Sequence, residues 1–295
     1  MDVRVLRYFI IIAQEQNISR AARLLHVSQP ALSRQIADLE TTLGTKLFIR
    51  GKRQLQLTQD GYYLLEQAKE IVGLVNKTTY NLQKKDVISG SLDIGSGESI
   101  ALKCVMQTIK EIMHKYPEIH INFRSGDGDT IKADLDSGIL EFGIIMGQKQ
   151  LTNYHTLVLP QRNRWGVIMR KDEQLAKQKE IYPRDLIGRP ILISRQIRGK
   201  KSFQDWSKDL FDQLNFVGTY NLIFNAGLLV ETGACIALTY EDLVDTTSNK
   251  GLVFRPLAPE LTDPNTVIWS KNRTLPTAAK LFLDTLQKNI KETGT

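Results

Sequence analysis

The chain has 295 residues, 39 Lys+Arg against 32 Asp+Glu and a formal net charge of +7, enough length for more than one domain with its own core. Two cysteines are too few for a disulfide framework and suit a reducing compartment. No apolar run reaches the roughly 18 residues of a membrane span, and the YFIII stretch at 8–12 is too short and too interrupted for a span or signal peptide, so a cytoplasmic protein without membrane contact is expected.

In chain order, Leu6, Tyr8, Phe9, Ile12 and Ala13 mark a first amphipathic helix. Residues 19–39, SRAARLLHVSQPALSRQIADL, then place apolar residues at Ala21, Ala22, Leu24 and Leu25 and again at Ala31, Leu32, Ile36 and Leu39. This three-to-four spacing predicts two short helices, each with one buried face. Ser19 and Ser28 stand where a hydroxyl caps a helix, and Pro30 fits the opening turn of the second. The outward residues of that second helix are Gln29, Ser33, Arg34 and Gln35, and Gln and Arg are the side chains that bond base edges bidentately in the major groove. An ordinary helix pair with a solvated polar face has the same periodicity, so the neighbouring segments decide. The upstream helix completes a three-helix core. Downstream, KLFIRGKRQLQLT at 46–58 reads as a hairpin whose tip carries Arg50, Gly51, Lys52 and Arg53, a basic wing suited to phosphate. Charge is also uneven. Residues 1–86 hold 13 Lys+Arg and 8 Asp+Glu, net +5, and the rest hold 26 and 24, net +2.

The run YFIIIAQEQNISRAARLLHVSQPALSRQIADLETTLGTKLFIR, continuing into LTQDG, resembles the N-terminal domain of LysR-type transcriptional regulators without a gap. The resemblance implies a winged helix-turn-helix at 1–60 in which Gln29, Pro30, Ser33 and Arg34, with Ser28 at the helix start, face double-stranded DNA, and Arg50, Lys52 and Arg53 of the wing contact its backbone. Beyond Thr58, a predicted cap, Leu64, Ala68, Ile71, Val75, Thr78 and Leu82 recur at gaps of four and three, a stripe that suits a partner helix or the surface of its own domain. The resemblance favours the partner: a linker and hinge over 61–88 that forms a dimer, assembling further into a tetramer. A two-fold symmetric DNA site with half-sites whole helical turns apart follows. Lys84, Lys85, Asp86 and Ser89-Gly90 close the linker.

From residue 91 strands alternate with helices. SLDIGSG, IHINFRS and FGIIMG are separated by helical patterns at about 98–115 and 129–138. TLVLP, RWGVIMR, RPILIS, TYNLIF, CIALTY, GLVFRPL and TVIWS follow, with helices near 203–214 and 226–233 and a last helix from Pro276. This is an α/β pattern of βαβ units. With KYPEI, LDSGILEFGII and LVETGACIAL it resembles the two-lobed α/β effector-binding domain of the same family, related to type 2 periplasmic binding proteins. That domain covers 89–295, with lobe I at 91–161 and 266–295 and lobe II at 162–265. Glu141, Cys235 and Tyr240 depart from the family's usual residues.

Ligands of open α/β sheets sit beyond the carboxyl ends of strands, which directs attention to loops 96–99, 125–130, 147–148 and 194–198. Ser96, Ser99, Thr130 and Ser194 are the expected effector contacts by family position, and Arg195 is a candidate grip on a carboxylate. Glu98, Asp127 and Asp129 oppose a simple anion, so a zwitterion or hydroxylated acid suits the loops. Helix capping and solvation account for the same residues equally well. His26, His114, His120 and His155 show no metal-ligand spacing, and no phosphate loop, nucleophile elbow or dinucleotide fingerprint is present, so no cofactor is expected. Three classes remain. The first is a ligand-responsive transcription factor, contacting RNA polymerase through an effector-driven rearrangement. The others are a redox regulator of the same architecture using Cys104 and Cys235, and an enzyme or solute-binding protein on the same fold.

Overall fold

The computed structural model describes residues 1–50, 55–83, 89–147, 151–197, 201–247 and 251–293. It divides into two compact units, Met1–Lys85 and Asp86–Thr295.

The first unit contains α1 (Val3–Glu15), α2 (Ile18–Leu24), α3 (Gln29–Leu43), the hairpin strands β1 (Phe48–Arg50) and β2 (Leu55–Leu57), and α4 (Gln59–Gln83). Leu6, Phe9 and Ile12 of α1, Ala21 and Ala22 of α2, and Leu32, Ile36 and Leu39 of α3 close a common core with Leu47, the faces expected from the spacing. Ser28 caps α3, its Oγ accepting from the Ala31 N–H at 3.3 Å, with Pro30 in the first turn. The cap of α2 is Asn17, whose side chain accepts from the Arg20 N–H at 2.9 Å. The expected cap Ser19 lies one residue inside that helix because α2 starts at Ile18.

The β1–β2 hairpin pairs Phe48 with Leu57 and Arg50 with Leu55. It is anchored at both ends: the Leu55 N–H donates to the Gln16 carbonyl at 3.0 Å, and the Thr58 hydroxyl donates to the Lys46 carbonyl at 2.7 Å while accepting from the Gly61 N–H at 2.9 Å. Gly61 permits this approach, since a Cβ there would lie 2.2 Å from the Leu47 carbonyl oxygen. In α4, Leu64, Ala68 and Val72 pack into the same core, and Arg7 hydrogen-bonds Asn76. The first half of the α4 stripe is therefore spent inside its own unit, and Leu74, Tyr62 and Tyr63 remain exposed.

Glu40 couples the end of α3 to the hairpin. It is buried, and its carboxylate accepts from the Leu47 N–H at 2.9 Å, the Phe48 N–H at 3.3 Å and Lys46 Nζ at 2.6 Å. Burial alone raises its pKa, but Lys46 and the two backbone donors outweigh that and hold it below the usual carboxylate range. Glu40→Ala leaves those donors unpaired and is expected to cost about 1–3 kcal/mol. Chemical denaturation of the full chain checks this, and an unchanged unfolding curve contradicts it.

In the second unit the elements are β3 (Gly90–Ser96), α5 (Lys103–Lys115), β4 (Ile119–Ser125), α6 (Gly128–Ser137), β5 (Phe142–Met146), β6 (Tyr154–Arg170), β7 (Ile191–Ser194), α7 (Lys201–Ser207), β8 (Phe216–Tyr220), α8 (Ile223–Glu231), β9 (Ile236–Tyr240), β10 (Leu252–Pro256), β11 (Thr262–Ser270) and α9 (Thr277–Thr293). The strands run β4-β3-β5-β11-β6-β9-β7-β8, with β10 also on β6. Pairing is parallel within β4-β3-β5 and β9-β7-β8 and antiparallel between β6 and β11.

Two expected strands, TLVLP and RWGVIMR, are one strand of 17 residues. Its first half pairs with Thr266–Ser270, and its second half with β9 and β10, so β6 and β11 cross together from one lobe to the other. Alternation places the cores. Val167, Ile193 and Leu238 enter one cluster of the second lobe, and Ile168, Leu192 and Ala237 enter the other. In the first lobe Ile144 joins Leu92, Ile109, Phe142 and Phe282, while Ile145 joins Ile131 and Leu135 on the opposite face.

Expectation and structure differ at TYNLIF, where β8 ends at Tyr220 and Ile223 already opens α8, and at 203–214, where α7 stops at Ser207 and continues as a 3-10 helix. Glu141 is a structural residue: buried, it accepts from the Asp93 N–H at 2.8 Å.

Candidate nucleic-acid interface and ligand cleft

Because α3 buries Leu32, Ile36 and Leu39, its opposite face is turned outward. Ser28, Gln29, Pro30 and Arg34 are exposed and Ser33 is half-buried. Gln29 and Ser33, one turn apart, are linked by Gln29 Nε2 donating to Ser33 Oγ at 3.1 Å, which fixes the Gln29 amide along the helix face. Arg34 is adjacent. Arg50 ends β1 at the start of the hairpin turn, and Lys52 and Arg53 lie outside the described residues. The helix thus offers amide, hydroxyl and guanidinium groups from one rigid surface, the set that reads base edges.

The second candidate lies within the second unit, where the carboxyl ends of parallel strands from both lobes converge. Met146 ends β5, Ser194 ends β7, Tyr220 ends β8, and Thr239 and Tyr240 end β9. With Gly97, Glu98, Trp165 and the first residue of α8, they enclose a cleft of about 40 Å³.

Glu98 and Arg195 each make a contact across the lobes. Glu98, after β3, accepts from the Ile223 N–H at the start of α8 at 3.1 Å. Arg195, after β7, donates to Asp127 at 2.6 Å. Asp127 also caps α6, accepting from the Thr130 N–H at 2.9 Å and the Asp129 N–H at 3.2 Å. The Thr130 N–H, then Arg195, hold its carboxyl down to about 2.

The floor is aromatic and polar. Trp165 Nε1 and the Tyr240 hydroxyl both donate to Asp263, at 3.0 and 2.7 Å. Burial, reinforced by Asp263, pushes the Tyr240 phenol up. The Tyr220 hydroxyl donates to the Leu238 carbonyl at 2.5 Å, and burial raises its pKa too, opposed by the neighbouring Thr239 hydroxyl and reinforced by Glu98. Thr239 is 1% exposed, and its Oγ1 has no hydrogen-bond partner.

Of the expected effector contacts, Ser194 lines the cleft. Ser96 is buried and its hydroxyl donates to the Gly97 carbonyl at 2.8 Å. Ser99 caps the short helix at 100–102 and hydrogen-bonds Asn163, and Thr130 is exposed on the first turn of α6. Arg195, expected to grip a ligand carboxylate, is engaged by Asp127 of this chain instead. Sequence reasoning placed Glu98 as a repelling charge and missed Tyr220, Thr239 and Tyr240, although the strand-end rule points to each of them once the strands are assigned.

Cys104 is half-buried with its Sγ 3.5 Å from the Ala101 carbonyl, and Cys235 is buried. Burial raises both thiols, the opposite of an activated cysteine. Among the described residues no cluster of His, Cys, Asp or Glu is placed to hold a metal ion, and no helix is long and apolar enough to cross a membrane.

Comparison with known proteins returns two family matches: "LysR substrate binding domain" over residues 85–291 and "Bacterial regulatory helix-turn-helix protein, lysR family" over residues 3–62. The HTH-type transcriptional regulator BsdA of Bacillus subtilis is 40% identical over 139 residues, 46% of this chain and 48% of that protein, so the chain spans about half the length of this relative. A hydrogen peroxide-inducible genes activator of Pectobacterium carotovorum is 29% identical over 65% of this chain and 66% of its own. Among solved structures, full-length CbnR complexed with its target DNA superposes with a TM-score of 0.73 at 20% identity, covering 98% of this chain and 100% of that one, a likeness of fold.

A depressed carboxyl stabilises the fold above its unfolded pKa, and that stability is lost as pH falls through its folded pKa. For Asp127 the window runs from its ordinary value near 3.8 down to about 2. Asp127→Asn is therefore expected to unfold more readily than wild type at neutral pH, with the difference narrowing below pH 4. Denaturation across a pH series checks this, and a difference that is constant with pH contradicts it.

Proposed function

The chain belongs to the LysR family of transcriptional regulators, and from that premise we propose that it binds double-stranded DNA through α3 and is controlled by a small molecule held in the cleft of its effector-binding domain. The observation that carries the DNA reading is the outward face of α3, where exposed Gln29 and Arg34 flank Ser33 on a helix whose other face is fully committed to the core. Ser28 and Pro30 set where that helix starts and so which residues lead into the groove. Arg50, Lys52 and Arg53 of the wing add phosphate contacts that raise affinity without choosing sequence.

Residues 1–60 act as the reading head, 61–88 as the linker and 89–295 as the regulatory domain. The part of α4 beyond Val72, with exposed Leu74, provides the dimer contact, and dimers pair into a tetramer that meets RNA polymerase on cytoplasmic DNA. Effector binding changes the arrangement of subunits and with it the bend of the DNA. Ser194 contacts the effector directly; Ser96, Ser99 and Thr130 shape the loops around it, and Arg195 acts through its bridge to Asp127. The redox alternative through Cys104 and Cys235 has the raised pKa of both thiols, one half-buried and one buried, against it.

Selection from a random DNA pool by the full chain tests the reading, with a two-fold symmetric site expected. At that site Arg34→Ala is expected to cost about 1–3 kcal/mol and to relax base preference at one position in each half-site. Affinity and preference both unchanged in the variant would remove Arg34 from the reading head.

A further inference from the structure

We propose that the cleft selects a small organic cation, an alkylammonium group facing the Glu98 carboxylate and the rings of Trp165 and Tyr240, and rejects a carboxylic acid of the same size. The inference rests on the reading of the cleft as the effector site and names the class of ligand that it takes.

Charge is the first argument. Of the described residues that line the cleft, Glu98 is the sole carboxylate and none is Lys, Arg or His. The nearby guanidinium, Arg195, is already engaged by Asp127.

The second argument is that the position suited to an anion is filled by the chain itself. The first turn of a helix attracts negative charge because its backbone N–H groups are unpaired. At the start of α8, Leu222 supplies no side-chain cap, and Glu98 takes that place by accepting from the Ile223 N–H at 3.1 Å. A ligand carboxylate would have to displace Glu98 or sit beside it against like-charge repulsion, whereas an ammonium group gains from its presence.

The lining supplies the third and fourth arguments. Thr239 lines the cleft, and its buried Oγ1 lies beside the Tyr220 hydroxyl without making a hydrogen bond of good geometry, so a ligand N–H that moves this neighbour aside gains an acceptor. Trp165 and Tyr240 lie with ring centroids 4.2 Å apart, and each gives its polar hydrogen to the buried Asp263. Donation to a carboxyl group enriches the rings in electron density, which strengthens their attraction for a cation. The cleft, of about 40 Å³ and partly open to solvent, has room for the ammonium end of a ligand.

The test uses the full chain and two probes of one size, n-propylammonium chloride and sodium propionate, at equal ionic strength, read as the thermal unfolding midpoint. Propylammonium is expected to raise the midpoint progressively, with the logarithm of its concentration once this exceeds Kd, and propionate to leave it in place. Glu98→Gln keeps an acceptor for the Ile223 N–H but removes the charge, so it is expected to weaken propylammonium binding by about tenfold or more. A shift with propionate and none with propylammonium overturns the cation assignment while leaving the cleft as the effector site. A propylammonium shift that persists unchanged in Glu98→Gln also overturns it, since the probe then binds elsewhere. No shift with either probe overturns the cation assignment, while the reading of the cleft as effector site and the DNA selection result stand or fall separately.

Discussion

The paired crossing of β6 and β11 is the constraint on which the second unit depends. Both strands leave one lobe and enter the other still paired, from Tyr154–Ser270 at one end to Arg164–Thr262 at the other. At the crossing two buried amides replace apolar packing: Asn163 Nδ2 donates to Asn265 Oδ1 at 2.8 Å, Asn265 Nδ2 donates to the Gln161 carbonyl at 3.2 Å, and Ser99 joins through Asn163. A buried polar network is stable only when its members are satisfied, so this one fixes the register of the crossing where the ladder shifts between Pro264 and Thr266. Each lobe closes its own cores around the pair. The strand ends of both lobes consequently face one another, and the cleft is the space between them.

Apart from Met146, which packs into the second lobe's cluster, the contacts across that space are polar and charged. Glu98 against the start of α8 and Asp127 against Arg195 each join one lobe to the other, and neither contact carries the apolar area that would lock two cores together. Arg195 is 69% exposed, so its pair is screened by water and contributes modestly to stability. The cleft is thus closed by bonds that a ligand with complementary charge can exchange. The first unit follows the opposite logic: Glu40 is buried and binds three donors, tying α3 to the wing as one rigid piece. Rigidity suits base reading, and exchangeable bridges suit ligand response.

Much of this was readable in the residues. The spacing of Leu32, Ile36 and Leu39 set α3 and left Gln29 and Arg34 outside, because a helix with one apolar face has a defined polar one. Asn17 and Ser19 are both good caps, and only the start of the hydrogen bonding at Ile18 separates them. TYNLIF misled because a short apolar run does not distinguish strand from helix, and the sheet ends at Tyr220. The α4 stripe fitted an internal surface as well as a partner, and the structure assigns its Leu64, Ala68 and, in part, Ile71 to the former, with Val72 beside them. In the cleft, Glu98 was visible as a charge, but its helix partner lies 125 residues away. No local pattern reports that pairing, and none reports the lone hydroxyl of Thr239.

The central claim is that ligand in the cleft alters how the chain holds its DNA. The direct measurement is a nuclease footprint of the full chain on its selected site, with and without a compound that raises the thermal midpoint through the cleft. The account predicts a changed footprint or bend in the presence of that compound, and a need for higher concentrations to produce the change when Glu98→Gln weakens its binding. A compound that occupies the cleft and leaves the footprint and the bend unaltered would contradict it.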